Sequence, residues 1–258
     1  MKRRAAVKIA YPGDIFAGSQ VQPGRRTAEG DVLSDIMKIS GADADDINMR
    51  FASRTDKGVN ALGNVVVFST DITDNHILLK ALNAVSKSIF YRSAASVNDT
   101  FNPRHAKERI YRYVLPADGI DLTSAEKCAS MFEGEHDFVH FCKTSDKGTV
   151  IDMRSVKVVR NDRVLEIEFR SEYFLWNMIR RIVAAISAVG LGHASLDDVE
   201  RVLNGEPVSF GLARPDALTL IDVLYDGVEF TAPPDMFGGR IEEEMFRLSL
   251  KMNFFNSL

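Results

Sequence analysis

The stretch at residues 52–61 reads ASRTDKGVNA and joins two segments that favour strands. Met49 and Phe51 precede it as a short strand, and the β-branched run VVVF at 65–68 follows it as a buried strand. Three charged residues within four positions, followed by a glycine, fit a solvated turn, because Asp bonds its own backbone there and Gly supplies unusual dihedral angles. The alternative is a rigid loop that holds a carboxylate, Asp56, at the mouth of a cleft.

Outward from this junction, short strands and helices follow one another along most of the chain. The residue patterns predict strands at 5–11, 89–94, 110–115, 150–160, 164–170 and 218–225, and helices at 27–39, 77–85, 123–131, 174–189 and 195–204. Several strands succeed one another without an intervening helix, which favours antiparallel pairing over a strict βαβ alternation. We therefore predict an α+β fold with antiparallel sheets flanked by helices.

The chain divides into three parts on this interpretation. We predict an N-terminal α+β lobe at 1–103 that carries the Asp56 loop, a C-terminal α+β lobe at 104–230, and an extension at 231–258. The extension mixes charged and apolar residues after a segment with Pro and Gly, which favours an appended helix.

Composition and charge narrow the class of protein. The 258 residues are 45% hydrophobic, enough for one large core or two modest ones. The chain has no apolar run long enough for a membrane span or a signal peptide, so we expect a cytoplasmic protein. The formal net charge of −4 does not suggest a nucleic-acid-binding domain, but five Lys and Arg residues fall between 92 and 112. An acidic protein can still carry a basic cleft.

Several standard chemistries lack their motifs in this sequence. No GxxxxGK[ST], GxGxxG or HExxH pattern occurs, so neither a phosphate-binding loop nor a zinc hydrolase helix is predicted. His136 and His140 are four residues apart, but the residues between them favour a strand, and Cys128 and Cys142 form no CxxC pair. We therefore predict no metal and no cofactor, and Asp56 is left as the candidate for chemistry.

The segment RTDKGV at 54–59 resembles the signature of the tRNA pseudouridine synthase A family. Further segments resemble that family in the same order: YPG at 11–13 with GSQ at 18–20, FNPR at 101–104, RIYRY at 109–113, GEHDFVHF at 134–141, FLWNMIR at 174–180 and ARPDALTL at 213–220. The resemblance covers residues 5–225 approximately, and the extension lies outside it. The chain departs from the family pattern at Ser19, Ser53, Asn60 and Ala217, where Trp, Gly, His and Gly are expected.

The resemblance implies a function and a set of roles. The family isomerises uridines at positions 38–40 of the tRNA anticodon stem-loop to pseudouridine, without a cofactor, on a two-lobed fold with the RNA in a cleft, and its members act as homodimers. Asp56 would be the catalytic carboxylate, which either bonds to the sugar or removes a sugar proton. Arg54 would replace the flipped uridine or hold the backbone, and Tyr111 would stack on the uracil.

Two further residues complete the predicted site. Arg180 would pair with Asp56 and keep its pKa low, and Leu218 would form an apolar wall of the pocket. Without the resemblance, Arg180 is equally well interpreted as a helix Arg with a buried stem, and Leu218 as an ordinary core residue. Arg181 is expected to face elsewhere.

Two other functions remain open from the sequence. One is a non-catalytic RNA-binding protein on the same scaffold, although binding alone would not require a buried acid. The other is a hydrolase with paired carboxylates, but we can place no second carboxylate beside Asp56 from the sequence.

Overall fold

The computed structural model describes residues 2–143, 148–234 and 236–257. Its strands are β1 (Arg3–Tyr11), β2 (Arg50–Phe51), β3 (Asn60–Thr70), β4 (Phe90–Val97), β5 (Glu108–Pro116), β6 (Gly134–Asp137), β7 (Val150–Asn161), β8 (Val164–Ser171) and β9 (Leu218–Leu224). Its α-helices are α1 (Ala28–Ser40), α2 (Ala44–Ile47), α3 (Asn75–Val85), α4 (Leu122–Ser130), α5 (Met178–Gly190), α6 (Leu196–Leu203) and α7 (Gly238–Asn256). The predicted α+β class is confirmed.

The strands form one sheet in the order β4-β1-β3-β9-β5-β8-β7-β6, with β2 paired to β3. Every pairing is antiparallel except that of β3 with β9, where Asn60 lies opposite Thr219 and Ala61 opposite Leu220. Strands from the first 103 residues occupy one end of the sheet, and the later strands occupy the other end. The sheets expected from the sequence are therefore joined into one, and the short parallel pair is the joint.

Helices cover the sheet through apolar stripes of helical period. In α5, Ile179, Ile182, Ile186 and Val189 are all buried, as the sequence pattern predicts. This helix packs against α4, which also contacts β7, while α1 and α3 pack together beside β4. The core continues through both halves, because buried residues of both halves belong to one cluster.

Two helix starts differ from the predictions. The sequence predicts a helix from Phe174, but α5 begins at Met178, because Asn177 adopts a left-handed conformation with φ of 63° and interrupts the helical path. The helix predicted from residue 123 begins at Leu122, because Asp121 is its N-cap and its side chain accepts a hydrogen bond from the Ser124 backbone N–H. The sequence also predicts Ser195 as the cap of α6, and this is confirmed, since Ser195 and Asp198 form a capping box.

A charged pair bridges the joint between the two halves. Lys8 Nζ on β1 lies 2.5 Å from Asp222 Oδ1 on β9, and both side chains are partly buried. The pair passes over β3, the strand between them, at Gly63. A Cβ atom at Gly63 would lie 2.5 Å from the carbonyl oxygen of Ile221 and 2.7 Å from Asp222 Oδ1. The close approach of β9 to β3 therefore requires a residue without a side chain at this position.

We expect Gly63→Ala to lower the free energy of unfolding by about 1–3 kcal/mol, the usual cost of overpacking. The added methyl group must push β9 away from β3 or displace the Asp222 carboxylate from Lys8. Urea unfolding followed by circular dichroism measures the change. Gly239→Ala is the matched control, because a Cβ atom there meets nothing within 4 Å. Equal stability of the two variants would contradict this account of the joint.

Candidate active site

All five residues singled out from the sequence line one cavity of about 650 Å³. Arg54 and Asp56 come from the loop between β2 and β3, Tyr111 from β5, Arg180 from α5 and Leu218 from the start of β9. The cavity therefore lies beside the β3–β9 joint, where the two halves of the chain meet. Residues more than 160 positions apart are brought together there only by the fold.

The loop that carries Asp56 is fixed by reciprocal hydrogen bonds to the segment after β1. The Thr55 backbone N–H donates to Ser19 Oγ at 2.8 Å, and the Ser19 N–H donates back to the Thr55 carbonyl at 2.9 Å. The Thr55 hydroxyl also lies 2.9 Å from the Tyr11 hydroxyl in the interior. Ser19, which stands where the family pattern has Trp, is fully buried, and its hydroxyl anchors the loop by a hydrogen bond.

A tight turn follows Asp56 and connects to β9. The Val59 N–H donates to the Asp56 carbonyl at 3.1 Å, and Gly58 has a φ of +88°, which side-chain-bearing residues rarely adopt. Asn60, in place of the family His, accepts a hydrogen bond from the Gly13 N–H at 2.8 Å and donates to the Asp216 carbonyl at 2.9 Å. The Asp56 loop is thus tied to both of its neighbouring segments.

Arg109 holds the other side of the loop, a role that the sequence analysis does not assign to it. Its guanidinium is buried and donates to Ser53 Oγ at 2.9 Å, to the Ala52 carbonyl at 3.0 Å and to the carbonyls of Arg104 and Glu172. These acceptors lie at the start of the Asp56 loop and after β8, so one side chain sets the spacing between them. The sequence does contain an indication that Arg109 is buried, because residues two apart in a strand share a face and Tyr111 is buried.

Burial raises the pKa of Asp56 above its usual range. Arg180 acts most strongly in the opposite direction, followed by hydrogen bonding from Trp176 and the charge of Lys143. The expectation that Arg180 keeps the pKa of Asp56 low is therefore corrected: desolvation outweighs the attraction. Among the described residues, Arg180 and Asp56 form no direct ion pair. The Arg180 guanidinium instead donates from Nε to the Ala213 carbonyl at 2.7 Å and from Nη1 to Asn177 Oδ1 at 3.2 Å.

The raised pKa predicts that the carboxylate of Asp56 opposes folding at neutral pH. A group whose pKa is raised by folding contributes stability below its unfolded pKa and loses it as the pH rises through the folded pKa. We expect Asp56→Asn to melt about 1–3 °C higher than the wild type at pH 7, since the desolvation cost disappears. Calorimetry across pH checks this. The two melting temperatures should converge below about pH 4, and a less stable Asn variant at pH 7 would contradict the prediction.

Tyr111 presents a neutral hydroxyl and a fixed ring to the cavity. Burial raises its pKa far above the usual range, with smaller contributions from neighbouring groups, so the phenol stays protonated at neutral pH. Its ring packs edge-on against Phe174 with centroids 5.2 Å apart. Leu218, opposite Tyr113 in the β5–β9 pairing, is buried and forms an apolar wall of the same cavity.

Glu29 is a second carboxylate of the cavity that the sequence did not place there. It lies in the first turn of α1, where burial raises its pKa and the charges of Arg54 and Arg104 lower it. A second carboxylate, which could not be placed beside Asp56 from the sequence, therefore lines the same cavity. However, the pKa of Asp56 responds to Arg180 and Lys143 and not to Glu29, so the two acids respond to different cations of one cavity.

An exposed aromatic side chain marks the rim of the cavity. Trp176 is 53% exposed and lies before α5, although the sequence predicts that it falls within this helix. Lys143 Nζ lies 3.8 Å from the centroid of the Trp176 ring, and the Lys143 N–H donates to the Trp176 carbonyl at 2.8 Å. An aromatic face beside a cation suits a stacked nucleobase.

The lining is predominantly basic although the whole chain is acidic. The cations are Arg54, Lys57, Arg104, Arg109 and Arg180, against the two carboxylates Asp56 and Glu29. A basic cleft with aromatic groups is a surface that attracts a nucleic acid backbone. Within the described ranges, no group of three or more His, Cys, Asp and Glu residues is arranged to hold a metal ion.

Comparison with known proteins shows which family the sequence resembles. Residues 128–226 match the family model described as tRNA pseudouridine synthase. The chain is 38% identical to tRNA pseudouridine synthase A of Pyrococcus abyssi over 231 residues, which cover 88% of this chain and 86% of that protein. The same enzyme of Archaeoglobus fulgidus is 36% identical over 230 residues, with coverage of 87% and 84%.

The chain belongs to the tRNA pseudouridine synthase family. The predicted family and the predicted enzyme class, an isomerase, are thereby confirmed. The family model includes Arg180 and Leu218, whereas Asp56 and Tyr111 lie outside its range. Among solved structures, a chain of a Cbf5-Nop10-Gar1 complex has a TM-score of 0.36 at 12% identity, covering 71% of this chain and 45% of that chain.

Proposed function

We propose that this protein isomerises uridine to pseudouridine in the anticodon stem-loop of tRNA, at positions 38–40, with Asp56 as the nucleophile. The observation that carries the proposal is a half-buried carboxylate on a rigid loop, inside a cavity whose other charged residues are mostly cations. A polyanion is attracted to such a cavity, while the carboxylate itself has no value for phosphate binding. Its placement is therefore best explained by chemistry.

The substrate uridine must leave the RNA stack before it can reach Asp56. The cavity of about 650 Å³ falls in the range that holds a small-molecule ligand, so one nucleoside fits it. Arg54 is exposed at its edge, where it can take the place of the extruded base or hold the backbone. Tyr111 supplies a ring and Leu218 an apolar wall for the uracil.

The reaction exchanges one bond of the uracil for another. Cleavage of the N-glycosidic bond develops positive charge on the sugar, and the Asp56 carboxylate either bonds to the anomeric carbon or removes a neighbouring sugar proton. The freed uracil turns and its C5 bonds to the anomeric carbon, which displaces the Asp56 carboxylate in the first route and is accompanied by return of the sugar proton in the second. The C5 proton is then lost while N1 gains one. Atoms and charge balance without another reactant. Both routes require ionised Asp56, which Arg180 favours against the effect of burial.

Further parts of the proposal rest on the family resemblance. We propose that residues 1–103 and 104–230 act as two lobes on either side of the RNA, that the enzyme works as a homodimer, and that it acts in the cytoplasm. The joined sheet supports a fixed arrangement of the lobes around the cavity, since the β3–β9 pair links them directly.

The test is to incubate the pure protein with unmodified tRNA and to locate pseudouridine by carbodiimide labelling and primer extension. We expect modification at positions 38–40 and none in a tRNA with cytidine at those positions. Tight tRNA binding without pseudouridine would favour the RNA-binding alternative. Release of free uracil would favour a hydrolase. Free uracil should be measured because the cavity holds a second carboxylate, Glu29.

A further inference from the structure

Helix α7 exposes large apolar side chains along its whole length. Its large apolar side chains are between 49% and 66% exposed: Ile241, Met245, Phe246, Leu248, Leu250, Met252, Phe254 and Phe255. A contiguous apolar surface of this kind marks an interaction site in a monomeric protein. No described residue of this helix lines the cavity that contains Asp56.

Among the described residues, α7 is attached to the rest of the chain at its base. Phe237 packs edge-on against Phe90 with ring centroids 5.5 Å apart, and the Arg240 guanidinium lies 4.1 Å from the centroid of the Phe90 ring. Arg240 also donates to the Ile89 carbonyl at 3.3 Å. From residue 241 to 257 every side chain is exposed, so the helix projects from a fixed base.

The apolar residues of α7 follow the spacing of a coiled-coil seam. Five of them alternate by four and three residues along one face: Ile241, Met245, Leu248, Met252 and Phe255. The other group, Phe246, Leu250 and Phe254, is spaced by four residues and lies on the opposite face. The five-residue stripe is the longer and runs almost the whole length of the helix.

The charges beside the seam specify the direction of the partner. Glu244 and Lys251 lie one heptad apart on the same side of the stripe, equidistant from the middle of the helix. In an antiparallel pair centred near Leu248, each Glu244 faces the Lys251 of the other copy. A parallel pair would set these residues against Ser249 and Asn256 instead, without opposite charges.

We propose that α7 pairs with α7 of a second copy of this chain, antiparallel and about a two-fold axis near Leu248. The contact is isologous, because each helix supplies the same seam and the same two charges. Arg247 already pairs with Glu243 at 3.1 Å and with Glu244 at 3.3 Å within one helix. It flanks Glu244 on the outer side, so the inner side of Glu244 stays available for the partner.

Charge reversal in the full chain, without RNA, tests the contact by sedimentation. Glu244→Lys and Lys251→Glu each place like charges together twice, so we expect each to weaken self-association roughly tenfold. The double variant should restore it. Glu243→Lys is the matched control, since it also loses an Arg247 contact but lies away from the seam. Loss of association that the double variant fails to restore would overturn the charge pairing. A chain that is monomeric throughout, or charge-reversal variants that self-associate as strongly as the wild type through another surface, would overturn the α7 contact.

The direction of the pair is tested by cross-linking of two variants under mild oxidation. A mixture of Ile241→Cys and Phe255→Cys chains should form a mixed disulfide, because opposite ends of the helix meet in an antiparallel pair. The native Cys128 and Cys142 are buried and give little background. Disulfides between identical variants only, or none, would overturn the proposal. Neither measurement involves catalysis, so the result is independent of the proposed tRNA activity.

Discussion

Asp56→Asn should reduce pseudouridine formation by about 10⁴-fold or more, because the amide can neither attack the sugar nor accept its proton. Binding of tRNA should stay within several fold of the wild type, since phosphate contacts dominate affinity and the cations of the cavity remain. Single-turnover kinetics on a stem-loop substrate, with binding measured separately, resolves the two effects.

Glu29→Gln is the matched control for Asp56→Asn. Glu29 lies in the same cavity and its pKa is also raised by burial, but its carboxylate responds to Arg54 and Arg104 instead of Arg180. We expect this variant to keep most of its turnover rate. If Asp56→Asn turned over at close to the wild-type rate, or if Glu29→Gln were the inactive variant, Asp56 would not be the nucleophile.

Arg180→Met should lower the turnover rate by about 10²–10³-fold and move the acid limb of the pH–rate profile upward. Burial already raises the pKa of Asp56, and Arg180 is the strongest influence that lowers it. Without this cation the carboxyl group protonates at a higher pH, and the protonated form is inactive. The variant also loses the hydrogen bond from Nε to the Ala213 carbonyl, so part of the effect is positional.

Two further variants separate the charge of Arg180 from its position. Arg180→Lys keeps the charge and should restore the acid limb while recovering only part of the rate. Arg201→Met removes an exposed Arg that pairs with Asp198 far from the cavity, and it should leave rate and profile unchanged. Arg181 is a poor control, because it is half-buried and its Nε is buried without a partner among the described residues. An unshifted profile in Arg180→Met would contradict the proposed coupling.

The sequence by itself determined the local elements and the family. The alternation of apolar residues in β8 and the apolar stripe of α5 are short-range patterns, and the apolar residues of both patterns are buried in the structure. The segment at 54–59 identified Asp56 because its residues are contiguous. The exact start of α5 escaped prediction, since the left-handed Asn177 leaves the apolar stripe unchanged. The helix predicted at 174–189 therefore includes Trp176, which in the structure precedes α5 and lines the cavity.

Only the tertiary structure decided which distant groups meet and how strongly each is desolvated. Glu29 reaches the cavity because α1 packs beside the Asp56 loop, and Arg109 clamps that loop because β5 passes beneath it. The pKa of Asp56 rises, against the expectation from Arg180 alone, because burial acts through the whole surrounding volume and not through one partner. Sequence spacing encodes neighbours along an element, whereas desolvation and long-range contacts depend on how the elements are packed.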